Sequence, residues 1–457
     1  MRIGKVVLRE SNVKEKVEFS PGKIVGKVVF EQEKNNVYLV YDLVERRFVL
    51  HPNPERVWDT ISFEGVKYKP LERLFWKPLP SSGLLLDSPP LEELWKEIKE
   101  FIKTYVDLPE DFQYDILTAW VLHTWRLENF AVSPYLFFFG PKGSGKTRAM
   151  EILSFLCYRS IMSPSCTGAS LMRLAEKYCP SLFLDEAQIY SKEERAEVNA
   201  LLNAGYKRGQ QAFRTFIKQN GEEEVKAYEP FCPKALGGTR ELLETVADRS
   251  LLFIMSRNIR PIPLQIEQEK TERLRAKLFL YRLQCLAEER GIIQVDVPQE
   301  YLTYGRIIEI LYPLITVAPL DLKPRFYEYV ASLEKERGIE EALSFEARVF
   351  NGLIKAHRQY ETYIPLQTIA DFVNENLTEK ESLSNRAVGS IVSKLGFKKR
   401  YYQNRTHIVW NETVFKRLER RYPKDEEAPP VSAGPHQHHY THQEPQENPA
   451  WKKGGES

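Results

Sequence analysis

Short apolar runs separated by turn residues characterise the first 80 residues of the chain. Runs at 28–30, 37–41 and 48–50 have the composition and length of β-strands, and Ser-Pro-Gly at 20–22 and Asn-Asn at 35–36 separate them as turns. This pattern predicts a small β-rich N-terminal domain over residues 1–80. Residues 81–114 begin as a linker rich in proline and serine and continue with apolar positions at helical spacing from Leu91.

Apolar strands and helices alternate between residues 115 and 265, which predicts an α/β core. Strands are expected at 135–139, 160–162, 181–184, 234–239 and 251–255, with helices at 148–158, 170–178 and 187–205. An Asn-Gly pair at 220–221 predicts a β-hairpin over 213–228. Residues 266–342 predict a helical domain with breaks at Gly291 and at several prolines.

The order of elements between residues 343 and 424 is typical of a winged helix-turn-helix. Helices are expected at 345–357, 365–373 and 384–395, a strand pair at 397–402 and 406–410, and a last helix at 413–421. Residues 425–457 are rich in proline, glutamine and histidine, so we expect a disordered tail. The predicted fold class is therefore multidomain, with a β-rich N-terminal domain, an α/β core with helical additions and a C-terminal winged helix.

The composition is that of a globular chain able to bury several cores, since 42% of its residues are hydrophobic and 28% are charged. A net charge of only +2 excludes a basic signature spread over the chain, so any nucleic-acid surface is local. The five cysteines form no Cys-x-x-Cys pair, which favours a reducing cytoplasm over a disulfide framework. The charged N-terminus does not resemble a signal peptide, and the apolar runs are too short to span a membrane.

A glycine-rich loop joins the apolar strand at 135–139 to the helix that follows. Its sequence fits the pattern Gly-x-x-x-x-Gly-Lys-Ser/Thr, in which backbone N–H groups curl around the phosphates of a nucleotide. The lysine of this pattern places a positive charge at the phosphate oxygens, and the hydroxyl residue ligates Mg²⁺. The sequence therefore predicts a site for ATP and Mg²⁺ on eight loop residues. They are Gly140, Pro141, Lys142, Gly143, Ser144, Gly145, Lys146 and Thr147.

An acidic pair ends the apolar run at 181–184. Asp185 is suited to hold Mg²⁺ together with Thr147, and Glu186 stands where a carboxylate can orient and deprotonate the water that attacks the γ-phosphate. The alternative is a solvated acidic pair at the start of a helix, where the helix dipole favours negative charge.

Two further residues are candidates for a role in hydrolysis. Thr239 closes the apolar run at 234–239, on a strand expected to neighbour both motifs, and is a candidate to hydrogen-bond the attacking water; the alternative is a helix cap. Arg249 precedes the strand at 251–255, where an arginine in a ring assembly reaches the γ-phosphate of a neighbouring subunit. The alternative for Arg249 is an ion pair with Asp248 or Glu244 in its own chain, and Arg208 and Arg214 are weaker candidates for the same role.

Positive charge is concentrated in the C-terminal winged-helix segment. Residues 384–424 contain eleven Lys or Arg and two acids, a net +9 in a chain of net +2. This predicts DNA binding through the helix at 384–395 and the adjacent strand pair; the alternative is a winged helix that contacts protein. The candidate DNA-binding residues are Asn385, Arg386, Lys394, Lys398, Lys399, Arg400 and Arg405.

Several of these segments together resemble a known family. The loop at 139–147, Leu-Met-Arg-Leu-Ala-Glu-Lys-Tyr from Leu171, Pro-Ser-Leu-Phe-Leu-Asp-Glu-Ala from Pro180, and Ala-Asp-Arg-Ser from Ala247 resemble the ATPase module of phage and plasmid primase–helicase proteins. The resemblance covers roughly residues 115–335. It implies an AAA+-like module related to superfamily-3 helicases, which assembles as a homo-hexamer and translocates on DNA. Thr239 departs from the asparagine usual in that superfamily, and no fused primase domain is recognisable, which implies a separate primase or polymerase partner.

These observations lead to one main hypothesis and two alternatives. The main hypothesis is an ATP-dependent replicative DNA helicase or translocase, or a replication-initiation ATPase, of a mobile element. The first alternative is a loader or switch ATPase that assembles on DNA or on a partner protein without unwinding. The second is a DNA-binding regulator whose oligomerisation ATP controls.

Overall fold

The computed structural model describes most of the chain between residues 16 and 422. The described residues are 2–3, 6–7, 16–33, 36–53, 56–79, 89–163, 167–185, 192–217, 222–289, 291–294, 296–342, 344–375, 382–402, 404–419 and 422. The chain divides into two compact units, Met1–Glu334 and Lys335–Ser457. Within the described ranges, no helix combines the length and apolar composition needed to cross a lipid bilayer. The tail predicted at 425–457 lies outside them.

The N-terminal region is built from short β-strands, as predicted. The strands are β1 (Arg2–Ile3), β2 (Val6–Val7), β3 (Lys16–Phe19), β4 (Gly22–Val25), β5 (Val28–Gln32), β6 (Tyr38–Asp42), β7 (Arg47–Phe48), β8 (Ile61–Phe63) and β9 (Val66–Lys69). Strands β4 to β7 form an antiparallel sheet, while β3, β9 and β8 form a second sheet in which β3 and β9 run parallel. Phe30, Tyr38 and Ile61 are buried in the core of this region.

Two helices connect the β-rich region to the central sheet. Helix α1 (Leu91–Tyr105) is amphipathic and buries the apolar positions Leu94, Ile98 and Ile102. Helix α2 (Asp111–Trp125) is buried along almost its whole length and is followed by a 3₁₀ turn, Leu127–Asn129. A helix buried on all sides is a core element, which explains why α2 shows no amphipathic pattern.

A five-stranded parallel sheet forms the centre of the first unit, which establishes the α/β class. In chain order the elements are β10 (Tyr135–Phe139), α3 (Lys146–Leu156), β11 (Ile161–Ser163), α4 (Gly168–Tyr178), β12 (Leu182–Leu184), α5 (Lys192–Ala204), the hairpin β13 (Ala212–Ile217) and β14 (Glu223–Tyr228), β15 (Lys234–Gly238), α6 (Glu244–Ala247) and β16 (Ser250–Ile254). The strand order in the sheet is β11-β12-β15-β10-β16. Strand β15 therefore lies between the strand that precedes the glycine-rich loop and the strand that ends at Asp185.

Three helices complete the helical part of the first unit and lead into the second. They are α7 (Gln268–Glu288), α8 (Arg306–Val317) and α9 (Lys323–Ala342), with a 3₁₀ segment at Gln299–Tyr304. The predicted break at Gly291 falls in the segment after α7, where this residue has φ +87°. Such a backbone conformation favours glycine.

The second unit combines helices with a three-stranded antiparallel sheet. Its elements are α10 (Phe345–His357), β17 (Tyr363–Pro365), α11 (Leu366–Val373), α12 (Asn385–Lys394), β18 (Lys398–Tyr402), β19 (Arg405–Val409) and α13 (Glu412–Glu419). The strand order is β17-β19-β18. The sequence predicts a helix from Pro365, since proline favours the first helical position, but in the structure Pro365 ends strand β17 and the helix begins at Leu366.

Candidate functional site

The glycine-rich loop follows the carboxyl end of β10, a strand flanked by neighbours on both sides. Gly143 and Gly145 have φ +80° and +89°, a conformation that side chains disfavour. A Cβ on Gly140 would lie 2.3 Å from the main-chain oxygen of Met255, so this position also requires glycine. No side chain of the described residues caps α3, which begins at Lys146. The first amides of α3 are therefore available to an anion.

The side chain of Lys146 folds back on the loop. Its ammonium donates hydrogen bonds to the main-chain oxygens of Gly140 and Pro141, both at 2.7 Å, and lies 3.5 Å from the Ser144 hydroxyl. Lys146 is 7% exposed, so its charge is held inside the loop by these oxygens. The geometry therefore places a cation inside the loop.

The structure brings together the two residues predicted to bind Mg²⁺. The Thr147 hydroxyl donates a hydrogen bond of 2.6 Å to Oδ2 of Asp185. Strand β15 lies between β10 and β12, the strands that lead to these two residues. A Cβ on Gly237 of β15 would lie 2.7 Å from Oδ1 of Asp185, so glycine leaves space for the carboxylate. Hydroxyl and carboxylate oxygens are the hard ligands that Mg²⁺ prefers, and the residues present fit this ion.

Glu186 and Thr239 are the other residues predicted at this edge of the sheet. Glu186 lies outside the described residues. Thr239 directly follows β15 and is exposed, at the same edge as the loop and Asp185. The sequence did not single out Asn258, whose side-chain oxygen lies 3.7 Å from the position of a Cβ on Gly145. Asn258 comes shortly after β16, a strand parallel to β10. Because the carboxyl ends of parallel strands lie at one edge of a sheet, this position could have indicated that Asn258 lies near the loop.

Arg249 lies at the opposite edge of the sheet. Its main-chain oxygen accepts a hydrogen bond from the N–H of Tyr135, the first residue of β10. The loop begins at the other end of that strand, roughly 13 Å away at 3.3 Å per residue. Arg249 therefore does not reach the glycine-rich loop of its own chain.

The guanidinium of Arg249 is held within its own chain by neutral groups. It lies 4.6 Å from the centre of the Tyr206 ring and 3.5 Å from the Asn203 side-chain oxygen, and it donates to the main-chain oxygen of Thr245. These partners differ from the carboxylates weighed in the sequence, those of Asp248 and Glu244.

The weaker arginine candidates also have partners in their own chain. Arg208 donates to the main-chain oxygen of Leu127 at 3.1 Å, and Arg214 forms an ion pair of 2.9 Å with Glu197. Arg214 thus links the hairpin to α5, while Arg208 is held against the 3₁₀ turn after α2.

The seven candidate DNA-binding residues are all exposed and lie in the second unit. Asn385, Arg386 and Lys394 are on α12, which Ser384 caps through the N–H of Ala387. Lys398, Lys399 and Arg400 are on β18, and Arg405 begins β19. Helix α12 and strand β18 approach each other at Gly389, where a Cβ would lie 3.1 Å from the Lys399 ammonium. Of the basic residues on the strands, this contact brings Lys399 next to α12.

Comparison with known proteins gives little further information. No protein-family model matches the chain, and no curated protein matches it. A solved structure described as the A form apo structure of the NrS-1 C-terminal region matches over 84% of this chain and 96% of that chain. The sequences are 10% identical and the TM-score is 0.32. A likeness of this size does not define the activity of this chain.

Proposed function

We propose that this chain is an ATP-hydrolysing motor that acts on DNA, as a replicative helicase or translocase or as a replication-initiation ATPase of a mobile element. The observation that carries the proposal is the 2.6 Å hydrogen bond between Thr147 and Asp185 beside the glycine-rich loop. A hydroxyl and a carboxylate that converge next to such a loop are the groups that hold a nucleotide with its Mg²⁺ ion.

Each residue of the proposed site has a separate task. The first amides of α3 bind phosphate oxygens, and the Lys146 ammonium exchanges its loop carbonyls for them. Thr147 and Asp185 hold Mg²⁺, which when bound offsets negative charge on the phosphates. Glu186 orients the attacking water and accepts its proton, and Thr239 is a candidate to hydrogen-bond that water.

The position of Arg249 supports a site shared between subunits. Because Arg249 lies at the far edge of the sheet from its own loop, it acts on a nucleotide only when it comes from a neighbouring chain. We propose a homo-hexamer in which the guanidinium leaves Tyr206 and stabilises charge on the neighbour's γ-phosphate. A closed ring of identical contacts is the ordinary way to build such a site.

The second unit is proposed to hold the DNA on which the motor works. Exposed basic residues on α12 and β18 supply a positive surface for phosphates. A separate primase or polymerase would synthesise on the DNA that the motor opens.

ATP hydrolysis with and without DNA tests the proposed site. Lys146→Ala and Asp185→Asn are expected to lower kcat by at least about 100-fold, since each removes a charge that faces the phosphates or the metal. Thr147→Ser keeps the hydroxyl and is expected to retain most activity, whereas Thr147→Ala loses it. The control is Lys177→Ala on α4, which removes an exposed lysine far along the chain from the loop. Unchanged hydrolysis in Lys146→Ala would refute the proposed site.

Strand displacement on a forked DNA distinguishes the motor from the alternatives. A helicase displaces the strand at a rate that depends on ATP, while a loader or a regulator hydrolyses ATP without displacement. The number of subunits, measured by light scattering with an ATP analogue and DNA, tests the hexamer. A chain that stays monomeric under these conditions while it hydrolyses ATP would exclude the role proposed for Arg249.

A further inference from the structure

The three-stranded sheet of the second unit has one buried face and one open face. Ile364 of β17 pairs with Ile408 of β19, and both side chains are fully buried against the helices of this unit. Neighbouring residues along a strand point to opposite faces, so the residues on either side of this pair face outward. We call this outward surface the open face. Its exposed aromatic and basic members are Tyr363, Lys398, Arg400, Tyr402 and Arg405, while His407 on the same face is buried beside the Tyr402 ring.

Aromatic rings and a guanidinium are arranged together on the open face. The Tyr363 and Tyr402 rings are near-parallel, with an interplanar angle of 30° and centres 6.5 Å apart. The Arg400 guanidinium donates a 2.7 Å hydrogen bond to the Tyr363 hydroxyl and lies 5.4 Å from the centre of its ring. These contacts fix the side-chain positions before a ligand binds, although Tyr363 and Tyr402 are 41% and 53% exposed.

The charged residues of β18, β19 and the turn between them are all positive. Residues 398–409 include four Lys or Arg and no Asp or Glu. Strand β18 is at the edge of the sheet and all five of its residues are exposed. Exposed aromatic rings within a positive surface are complementary to a ligand with flat rings and negative charge, and a chain of nucleotides has both.

We propose that the open face binds single-stranded DNA, with bases stacked on Tyr402 and Tyr363 and phosphates held by Arg400, Arg405 and Lys398. This inference rests on the proposed action of the chain on DNA and specifies the form of DNA that this surface holds. Unpaired bases expose their ring faces to a side chain, whereas bases in a duplex are already stacked on one another. A flat surface with two exposed rings therefore favours the single strand.

Strand β18 provides a matched control for this surface. Tyr401 is next to Tyr402 and is 70% exposed, but its side chain is on the other face of the strand, where its hydroxyl donates to Asn404. The variants Tyr402→Ala and Tyr401→Ala therefore remove the same side chain from neighbouring, exposed positions. Only the first removes a ring from the open face.

Fluorescence anisotropy of the full chain without nucleotide is the test, with labelled oligo(dT) and a blunt duplex of equal length as probes. Tyr402→Ala is expected to weaken oligo(dT) binding by about 5- to 150-fold, the range for loss of one base–aromatic stack. Tyr402→Phe keeps the ring and is expected to bind like the native chain. Tyr401→Ala is expected to leave oligo(dT) binding within error of the native chain, and duplex binding is expected to be unchanged in all three.

Two results would overturn the inference. Equal loss of oligo(dT) binding in Tyr402→Ala and Tyr401→Ala would show that the face of the strand is irrelevant. Equal loss of duplex and oligo(dT) binding in Tyr402→Ala would assign the surface to duplex DNA. ATP hydrolysis by the same proteins separates this test from the proposed function. If the chain hydrolyses ATP but Tyr402→Ala does not weaken oligo(dT) binding, the inference about the open face is wrong and the proposed ATPase activity stands.

Discussion

A buried ion pair attaches the β-rich region to the α/β part of the first unit, and its removal is expected to destabilise the protein. Glu31 on β5 accepts hydrogen bonds of 2.7–3.0 Å from the Arg159 guanidinium and one of 2.9 Å from the Tyr158 hydroxyl. The two charged side chains are 5% and 11% exposed. Burial, the largest influence, lowers the pKa of Arg159, but the charge of Glu31, the Tyr158 phenol and the hydrogen bonds to Glu31 together more than offset it, so the pKa is raised and the arginine stays charged.

The substitution Glu31→Ala leaves this charge buried with the main-chain oxygens of Gly22 and Tyr178 as acceptors and the Trp76 and Tyr158 rings as neighbours, but without the Glu31 carboxylate. Loss of one member of a buried pair costs about 3–5 kcal/mol. Glu31→Gln keeps the shape but not the charge, and is expected to cost about 1.5–3 kcal/mol, the worth of a hydrogen bond to a charged group. The double variant Glu31→Leu with Arg159→Met removes both charges. It is expected to lower the free energy of unfolding by less than the sum of the losses in Glu31→Leu alone and in Arg159→Met alone.

Hydrogen–deuterium exchange of the amides of β5 measures this effect locally, which suits a chain of two units whose unfolding need not be a single transition. A loss of about 3 kcal/mol corresponds to roughly 100-fold faster exchange. The control is Glu18→Ala, which removes an exposed ion pair with Lys23 in the same region and is expected to cost less than about 1 kcal/mol. The reasoning would be refuted if Glu31→Ala and Glu18→Ala increased the exchange rate of β5 equally. It would also be refuted if the loss in the double variant equalled the sum of the losses in Glu31→Leu and Arg159→Met.

Four further substitutions test other parts of the chain. Gly237→Ala places a Cβ 2.7 Å from the Asp185 carboxylate and is expected to lower ATP turnover. Gly338→Ala, in α9 and with open space around the new Cβ, is expected to raise the free energy of unfolding by about 0.5–1 kcal/mol. Burial lowers the pKa of His123 from 6.5 to about 3, so protonation favours the unfolded chain as the pH falls below 6.5. Between pH 7 and pH 5 the free energy of unfolding is expected to fall by about 2 kcal/mol on this account. Urea titrations of His123→Gln should not show this loss. Arg249→Ala is expected to leave nucleotide affinity unchanged while lowering turnover at least tenfold, and equal turnover would contradict action between subunits.

The sequence was sufficient to predict the strand, loop and helix around Lys146 because each has a strong local signal. Strand β10 was predicted with the bounds Tyr135–Phe139 that the structure has. The contact of Thr147 with Asp185 followed from a general rule, since Asp185 and the loop that leads to Thr147 each follow the carboxyl end of a strand in one parallel sheet. The eight-residue loop pattern thus determined most of the candidate site.

Features that depend on pairing between distant segments were not predictable. The ion pair of Glu31 and Arg159 joins residues 128 positions apart, and neither has a local pattern that indicates its partner. The open face required the register of β17 against β19, which aligns Tyr363 with Val409. A three-residue strand that ends in proline has too little alternation to be recognised from sequence.

Helix α3 connects these observations in the first unit. It begins at Lys146 in the glycine-rich loop and ends at Leu156, and Arg159 follows three residues later. A second arginine, Arg275 on α7, donates to the main-chain oxygens of Lys77 and Pro78 at the end of the β-rich region. Both arginines are largely buried and donate hydrogen bonds to the β-rich region, so separating this region would break the contacts of both. The β-rich region is therefore a structural part of the first unit, held next to the segment that follows α3.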